Sequence, residues 1–305
     1  MAKGTIRIGI SGWTYPPWRG DFYPRGLPQK RELAYAAALF PSVEINGTFY
    51  GLQTPASFAR WAEAVPQEFV FAVKGPRFLT HILRLRGIET PLANFMASGP
   101  LRLGPKLGPI LWQFPASFRF DPESFGSFLA LLPKTGEAAS TLAHRHDDHL
   151  KARGWLDADG VGALRHAVEV RHESFRDPAF VALLRRHNVA LVCADAVDWP
   201  LWTDLTADFA YLRLHGSEKL YVSGYDDEAL DGWADLVSAF AEGREAGRDR
   251  RIVPEAGDAR PRDVYVYFDN TMKPRAPRDA LALMKRLGLH QGEDREASPG
   301  ITADR

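Results

Sequence analysis

The chain has 305 residues, 45% of them hydrophobic and 25% charged, the proportions of an ordinary globular protein that buries a large core without crosslinks. Thirty-eight basic side chains balance 38 acidic ones, which excludes an overall basic footprint for nucleic acid but leaves a local patch open. A single cysteine, Cys193, excludes a disulfide within the chain; it lies in the apolar run Val189 to Cys193 and is read as a buried core thiol.

Short apolar runs recur along the chain, each followed by a polar or helical stretch. In order they are Ile6 to Ser11, Val43 to Asn46, Phe69 to Lys74, Pro109 to Phe114, Ala167 to Arg171, Ala190 to Asp195, Phe209 to His215 and Val264 to Asp269. Between them, Thr54-Pro55, Asp121-Pro122 and Asp177-Pro178 each set a capping oxygen before a proline that needs no donor at the first helical position. Helices are also expected after the sixth strand and, around Ala280 to Leu287, after the eighth. Strand and helix alternating eight times predict an α/β fold, a single-domain (β/α)8 TIM barrel over residues 5–288; an open doubly wound sheet is the alternative. Residues 134–165 and 216–263 form long connections, and the polar tail 289–305 is expected to be disordered.

Side chains two apart on a strand share a face, and barrel enzymes build their sites at strand C-termini. That places Glu44 and Asn46 on the second strand, Lys74 on the third, Gln113 on the fourth, and Glu169 and Arg171 on the fifth. Asp195 ends the sixth, Arg213 and His215 the seventh, and Asp269 with Asn270 the eighth. One such residue is often half of a buried ion pair; this many at one end argue for function, because charges withdrawn from water cost several kcal/mol each unless paired.

The loop after the first strand holds Trp13, Tyr15, Trp18, Phe22 and Tyr23, five aromatics in eleven residues. Trp18, Phe22 and Tyr23 are expected to pack as a lid, while Trp13, and Tyr50 after the second strand, can offer a ring to a sugar or base. The loop from His215 to Tyr225, with Gly216, Lys219 and four hydroxyl side chains, suits an anion. His144, His146 and His149 fall in a polar stretch read as a solvated helix; His81 and His172 are better placed. No HExxH or CxxC pattern marks a zinc site, so no metal ligand or cofactor is assigned, although one divalent ion held by carboxylates stays open.

Taken together, Ile8-Gly9-Ile10-Ser11-Gly12-Trp13, Val43 to Tyr50, Phe71 to Lys74, Leu111-Trp112-Gln113, Val168 to His172, Tyr211 to Gly216 and Val266 to Asn270 resemble the YecE-like family of domain of unknown function 72. The resemblance runs from about Thr5 to Leu287 and implies a TIM barrel without implying an activity. Gly47 departs from it, standing where the family commonly has Ser.

Three functions compete at this stage. The leading one is a hydrolase-like enzyme on a phosphorylated or sugar-containing ligand. In it Glu169 is general base or nucleophile, Arg171 keeps it ionised, and Glu44, Asp195 or Asp269 is the acid partner. Lys74, Arg213 and His215 stabilise negative charge, while Trp13, Asn46, Gln113, Tyr225 and Asn270 orient the ligand. The second is Schiff-base carbonyl chemistry on Lys74, which the surrounding carboxylates are expected to oppose by keeping the amine protonated. The third is a nucleotide or single-stranded nucleic-acid binder that uses the aromatic loop with Lys219, Arg213 and Arg19. A small polar or anionic ligand is the expected partner, no membrane span is expected, localisation is expected to be cytoplasmic, and oligomeric state is not legible in the sequence.

Overall fold

The computed structural model describes residues 3–151, 153–216, 224–244, 246–254, 258–272 and 274–289. Among them, eight parallel strands close into a barrel in sequence order. They are β1 (Ile6–Ser11), β2 (Ser42–Ile45), β3 (Val70–Lys74), β4 (Leu107–Gln113), β5 (His166–Glu169), β6 (Val189–Asp195), β7 (Phe209–Leu214) and β8 (Asp263–Phe268). Every expected strand is present within a few residues. The helices are α1 (Glu32–Leu39), α2 (Gly47–Tyr50), α3 (Pro55–Glu63), α4 (Glu89–Ala97), α5 (Pro122–Leu131), α6 (Gly136–Ala143), α7 (Pro178–His187), α8 (Asp227–Glu242) and α9 (Arg275–Arg286).

The period-two alternation sorts each strand into an inner and an outer row. Ile8, Ile10, Val43, Ile45, Phe71, Val73, Trp112, Val168, Leu212, Val264 and Val266 face the helices in one continuous core. The inner row forms a separate cluster in which small and large side chains are matched: Ala72, Ala167, Ala190 and Ala194 leave the room that Phe209, Tyr211, Tyr265 and Tyr267 fill. Gly9 belongs to that matching, since a Cβ there would lie 1.9 Å from the Ser42 carbonyl oxygen. The buried tyrosines keep their hydroxyls bonded, Tyr267 to Ser42 Oγ at 2.6 Å and Tyr211 to Glu44 Oε2 at 2.6 Å.

All three Xaa-Pro helix starts form as expected: Thr54, Asp121 and Asp177 accept from Ser57, Ser124 and Ala179 backbone N–H at 3.2, 2.8 and 2.8 Å. Each such cap stabilises its helix by about 1 kcal/mol. The helix after β8 begins at Arg275, earlier than expected, and α8 occupies part of the long connection before β8, opened by Asp226 capping Ala229.

The helix expected after β6 is absent: residues 196–208 contain none. Polar side chains satisfy the backbone there instead. Thr206 Oγ1 donates to Val189 O and accepts from Leu191 N, while Asp204 accepts from the N–H groups of Ile252 and Val253. Thr203 joins the segment to Arg250 and Gly247, so the chain after α8 covers that flank. Leu289 still bonds Met284 at the end of α9; residues 290–305, and with them nearly all of the tail expected to be disordered, lie outside the described residues.

Candidate active site

Inner-row residues at the last positions of the strands meet above the tyrosine layer. Arg213, on β7, is 0% exposed and reaches three carboxylates. Its Nε and Nη2 donate to Glu44 at 3.1 and 2.9 Å, Nη1 to Glu169 Oε2 at 2.6 Å, and Nη2 to Asp269 Oδ2 at 2.8 Å. Burial alone would lower its pKa; Glu44, Asp269 and Glu169 reverse that and raise it far above the usual value.

Glu169 is saturated. Oε1 accepts from Gln113 at 2.9 Å and from Arg171 at 2.8 and 2.6 Å, while Oε2 takes the Arg213 bond. Burial pushes its carboxyl up, but Arg171 and Arg213 outweigh burial and hold it well below the usual range. Glu44 is equally engaged: Ser11 Oγ donates to Oε1 at 2.5 Å and Tyr211 to Oε2, beside the two Arg213 bonds. Asn46 Nδ2 donates to Ser11 Oγ at 2.8 Å. Arg213 Nη1 lies 3.3 Å from His215 Nε2, an arrangement that puts the ring proton on Nδ1, 3.1 Å from Asp269 Oδ2.

Two groups are less committed. Asp269 is bonded among the described residues through Oδ2, and its side chain keeps 12% exposure; burial would raise its pKa, yet Arg213 and His215 hold it well below the usual range. Lys74, 7% exposed, makes no hydrogen bond through Nζ among the described residues and rests over the Phe49 ring at 4.2 Å. Burial first, then Arg213, lower its pKa to about 8 despite Asp269, Glu44 and Glu169. Desolvation and a second cation thus outweigh the carboxylates in lowering the pKa, yet at about 8 the amine still carries its proton for the most part at neutral pH.

The walls are aromatic. Arg171 stacks on Trp199 at 3.5 Å, and Trp199 meets His215 edge-on at 5.3 Å. His81 packs edge-on against Phe49 at 5.2 Å and is pushed down to about 4 by partial burial, then Arg171, Arg77 and Lys74. Trp13 is half-buried against Trp61 at 5.5 Å, and Tyr50 is 75% exposed at the rim. Trp18, Phe22 and Tyr23 pack on one another and against Tyr35 and Phe40, a structural role.

Asp195, Tyr225 and Asn270 do not join the Arg213 lattice. Asp195 and Asn270 fall on the outer row of β6 and β8; Tyr225 OH donates to Asp195 Oδ2 at 2.7 Å, and Asn270 Nδ2 to Asp279 Oδ2 at 2.8 Å. Burial raises the Asp195 carboxyl, with the Tyr225 bond opposing it. His172 Nδ1 accepts from Ser174 N at 3.0 Å, a local turn. Ser217 to Ser223, the centre of the expected anion loop with Lys219, lies outside the described residues. Among the described residues no group of three or more His, Cys, Asp or Glu side chains is arranged to hold a metal, and no helix is long and apolar enough to cross a membrane.

Sequence parity missed Ser11, Tyr211 and Trp199. Ser11 and Tyr211 share the inner row of Gly9 and Arg213, so the same parity extended to hydroxyl side chains finds them. Trp199 was hidden by the helix expected after β6.

The family model described as protein of unknown function DUF72 matches residues 7–302. UPF0759 protein YecE of Escherichia coli is 32% identical over 191 residues, covering 56% of this chain and 65% of that protein. UPF0759 protein YunF of Bacillus subtilis is 27% identical over 172 residues, 50% of this chain and 58% of that one. These matches span less than two thirds of either relative's length. A solved DUF72 family protein from Thermotoga maritima superposes with a TM-score of 0.67 at 25% identity, covering 93% of this chain and 99% of its own. One from Enterococcus faecalis gives 0.65 at 20% identity, covering 94% and 97%.

Proposed function

The chain belongs to the DUF72 family, and from the mouth of its barrel we propose an enzyme that acts, in a hydrolase-like reaction, on a small polar ligand bearing a phosphate or sugar hydroxyls. Lys74 moves the proton, and Asp269 and Arg171 seat the ligand. The observation that carries this is the division of labour around Arg213: Glu44 and Glu169 have their oxygens filled by donors, whereas Lys74 Nζ has no hydrogen bond among the described residues. A carboxylate saturated by two guanidinium groups is a poor base, so Glu169 holds Arg171 and Arg213 in place instead of taking a proton. An amine near pKa 8 is matched to proton transfer around neutral pH.

The test is turnover of p-nitrophenyl phosphates and p-nitrophenyl glycosides as a function of pH. Activity should rise as pH passes through about 8, where Lys74 becomes neutral, and Lys74→Met should lower it by ~100-fold or more. A flat profile, or Lys74→Met at wild-type rate, would remove Lys74 from the chemistry.

The same amine supports a second reading, carbonyl chemistry. A desolvated lysine over an aromatic ring and beside a cation suits attack on an aldehyde or ketone. The neutral Nζ would add to the carbonyl carbon, and loss of water would leave a C=N bond. Borohydride would then reduce that bond to a stable secondary amine. With a panel of phosphorylated aldehydes and ketones, a mass increase on the Lys74 peptide is the expected result; unmodified Lys74 throughout the panel counts against it.

A further inference from the structure

The described rim of the mouth is polarised. The loops after β2 and β3, residues 46–54 and 75–88, contain no acidic side chain and carry Arg77, Arg84 and Arg86. The next loop adds Arg119, with Asp121 occupied as the cap of α5. On the opposite side, around β6 and β7, Asp198, Asp226 and Glu228 are exposed. Zero net charge therefore conceals a basic crescent spanning three neighbouring strands of the barrel.

Arg77, Arg86 and Arg119 are exposed and make no ion pair among the described residues. Arg84 joins the two loops, donating to Ser117 Oγ and O at 3.2 and 3.0 Å and lying over Phe118 at 5.2 Å. Exposed rings stand among these charges: Tyr50 at 75% and Phe78 at 48%. Phe78 opens a π-helical turn, Phe78–Ile82, that buries Leu79 and Thr80 and turns Phe78 and Ile82 outward. The crescent is continuous with the mouth, since Tyr50 packs on Phe49, Phe49 on His81, and His81 feels the charges of Arg171, Arg77 and Lys74.

We infer that this crescent binds single-stranded nucleic acid, its arginines along the phosphates and Tyr50 and Phe78 under the bases. Unpaired arginines alone would serve any polyanion. Solvent-facing aromatic rings between them suit bases, because stacking on a π-face holds any base and has no counterpart in an acidic peptide. The grip differs from the one the sequence indicated: Arg213 is fully buried and committed to three carboxylates, so it cannot reach a phosphate. The inference goes beyond the proposed chemistry and does not depend on it.

Fluorescence anisotropy with a labelled single-stranded oligonucleotide of mixed sequence, at low and physiological ionic strength, tests it. Binding should weaken steeply with salt. The triple variant Arg77→Ala, Arg86→Ala, Arg119→Ala should lose at least about tenfold in affinity, with a log–log salt slope shallower by about 2. Tyr50→Ala with Phe78→Ala should lose about 30-fold or more but keep the wild-type slope. Lys74→Met should bind the strand as wild type does, which separates failure of the grip from failure of the proton chemistry. No binding at low salt, or undiminished binding by the triple variant, overturns the inference. Competition by polyglutamate equal to that of the oligonucleotide, charge for charge, would reassign the crescent to an acidic polypeptide and also overturn it.

Discussion

Replacing Arg213 by Met is expected to lower the free energy of unfolding by ~3–5 kcal/mol, because it strands the charges of Glu44 and Glu169 where each is 0% exposed. Methionine fills similar volume, so a cavity contributes little of the loss. The same physics predicts a rescue. Adding Glu44→Gln and Glu169→Gln removes the two fully buried orphaned charges and should regain part of the stability, with Asp269 and Arg171 still lacking the partners that Arg213 and Glu169 gave them. Urea unfolding at neutral pH measures both, with an unchanged m-value marking the comparison as one of stability alone. A loss below ~1 kcal/mol in the single variant, or no regain in the triple, would mean the lattice does not hold the mouth together. Acid supplies a second arm. The Glu169 and Asp269 carboxyls are depressed in the fold, so the stability they contribute is present above the unfolded carboxylate range and disappears as pH falls through their folded values. Arg213→Met should flatten the curve below about pH 4.

This lattice was legible in the sequence to the extent that parity governs side-chain direction. Glu44, Asn46, Lys74, Gln113, Glu169, Arg171, Arg213, His215 and Asp269 all lie on the inner rows, where alternation from hydrophobic neighbours places them. Asp195 and Asn270 show the limit of the argument: ending a strand is not sufficient, and their outer-row parity sends them to Tyr225 and Asp279. Electrostatics was less legible. Counting carboxylates near Lys74 keeps the amine protonated, as it mostly remains at neutral pH; what the count omits is the lowering to about 8 by desolvation and Arg213, which only the folded barrel supplies. The absent helix after β6 has a similar cause. Propensity in residues 196–208 is weak, and Thr206 and Asp204 satisfy the local backbone through partners 15 to 49 residues away. Such contacts leave no periodic trace.

Outside the mouth, His166 should make the fold acid-labile well before the carboxylates titrate. Its ring is fully buried on the outer row of β5, with Nδ1 accepting from Trp112 Nε1 at 3.1 Å and Nε2 lying 2.7 Å from Pro133 O. An acceptor on one nitrogen and a donor on the other fix the neutral tautomer. Burial, then the nearby Lys134, push its pKa down to about 3, against about 6.5 in the unfolded chain. Below pH 6.5 the unfolded state therefore binds a proton that the folded state refuses, and stability falls as pH drops. At pH 5 the loss is about 2 kcal/mol, well before the ~pH 4 region in which the lattice carboxylates begin to matter. His166→Gln retains a donor and an acceptor but cannot titrate. It should start less stable at pH 7, through imperfect packing against Trp112, and lose about 2 kcal/mol less than wild type between pH 7 and pH 5. Half-buried His81 also titrates low, but it is present in both proteins and cancels in the difference. Urea curves at the two pH values decide the matter. Parallel losses in wild type and variant would mean that His166 already accepts a proton in the folded state at pH 5, through an opening of the contact between β5 and the Pro133 turn.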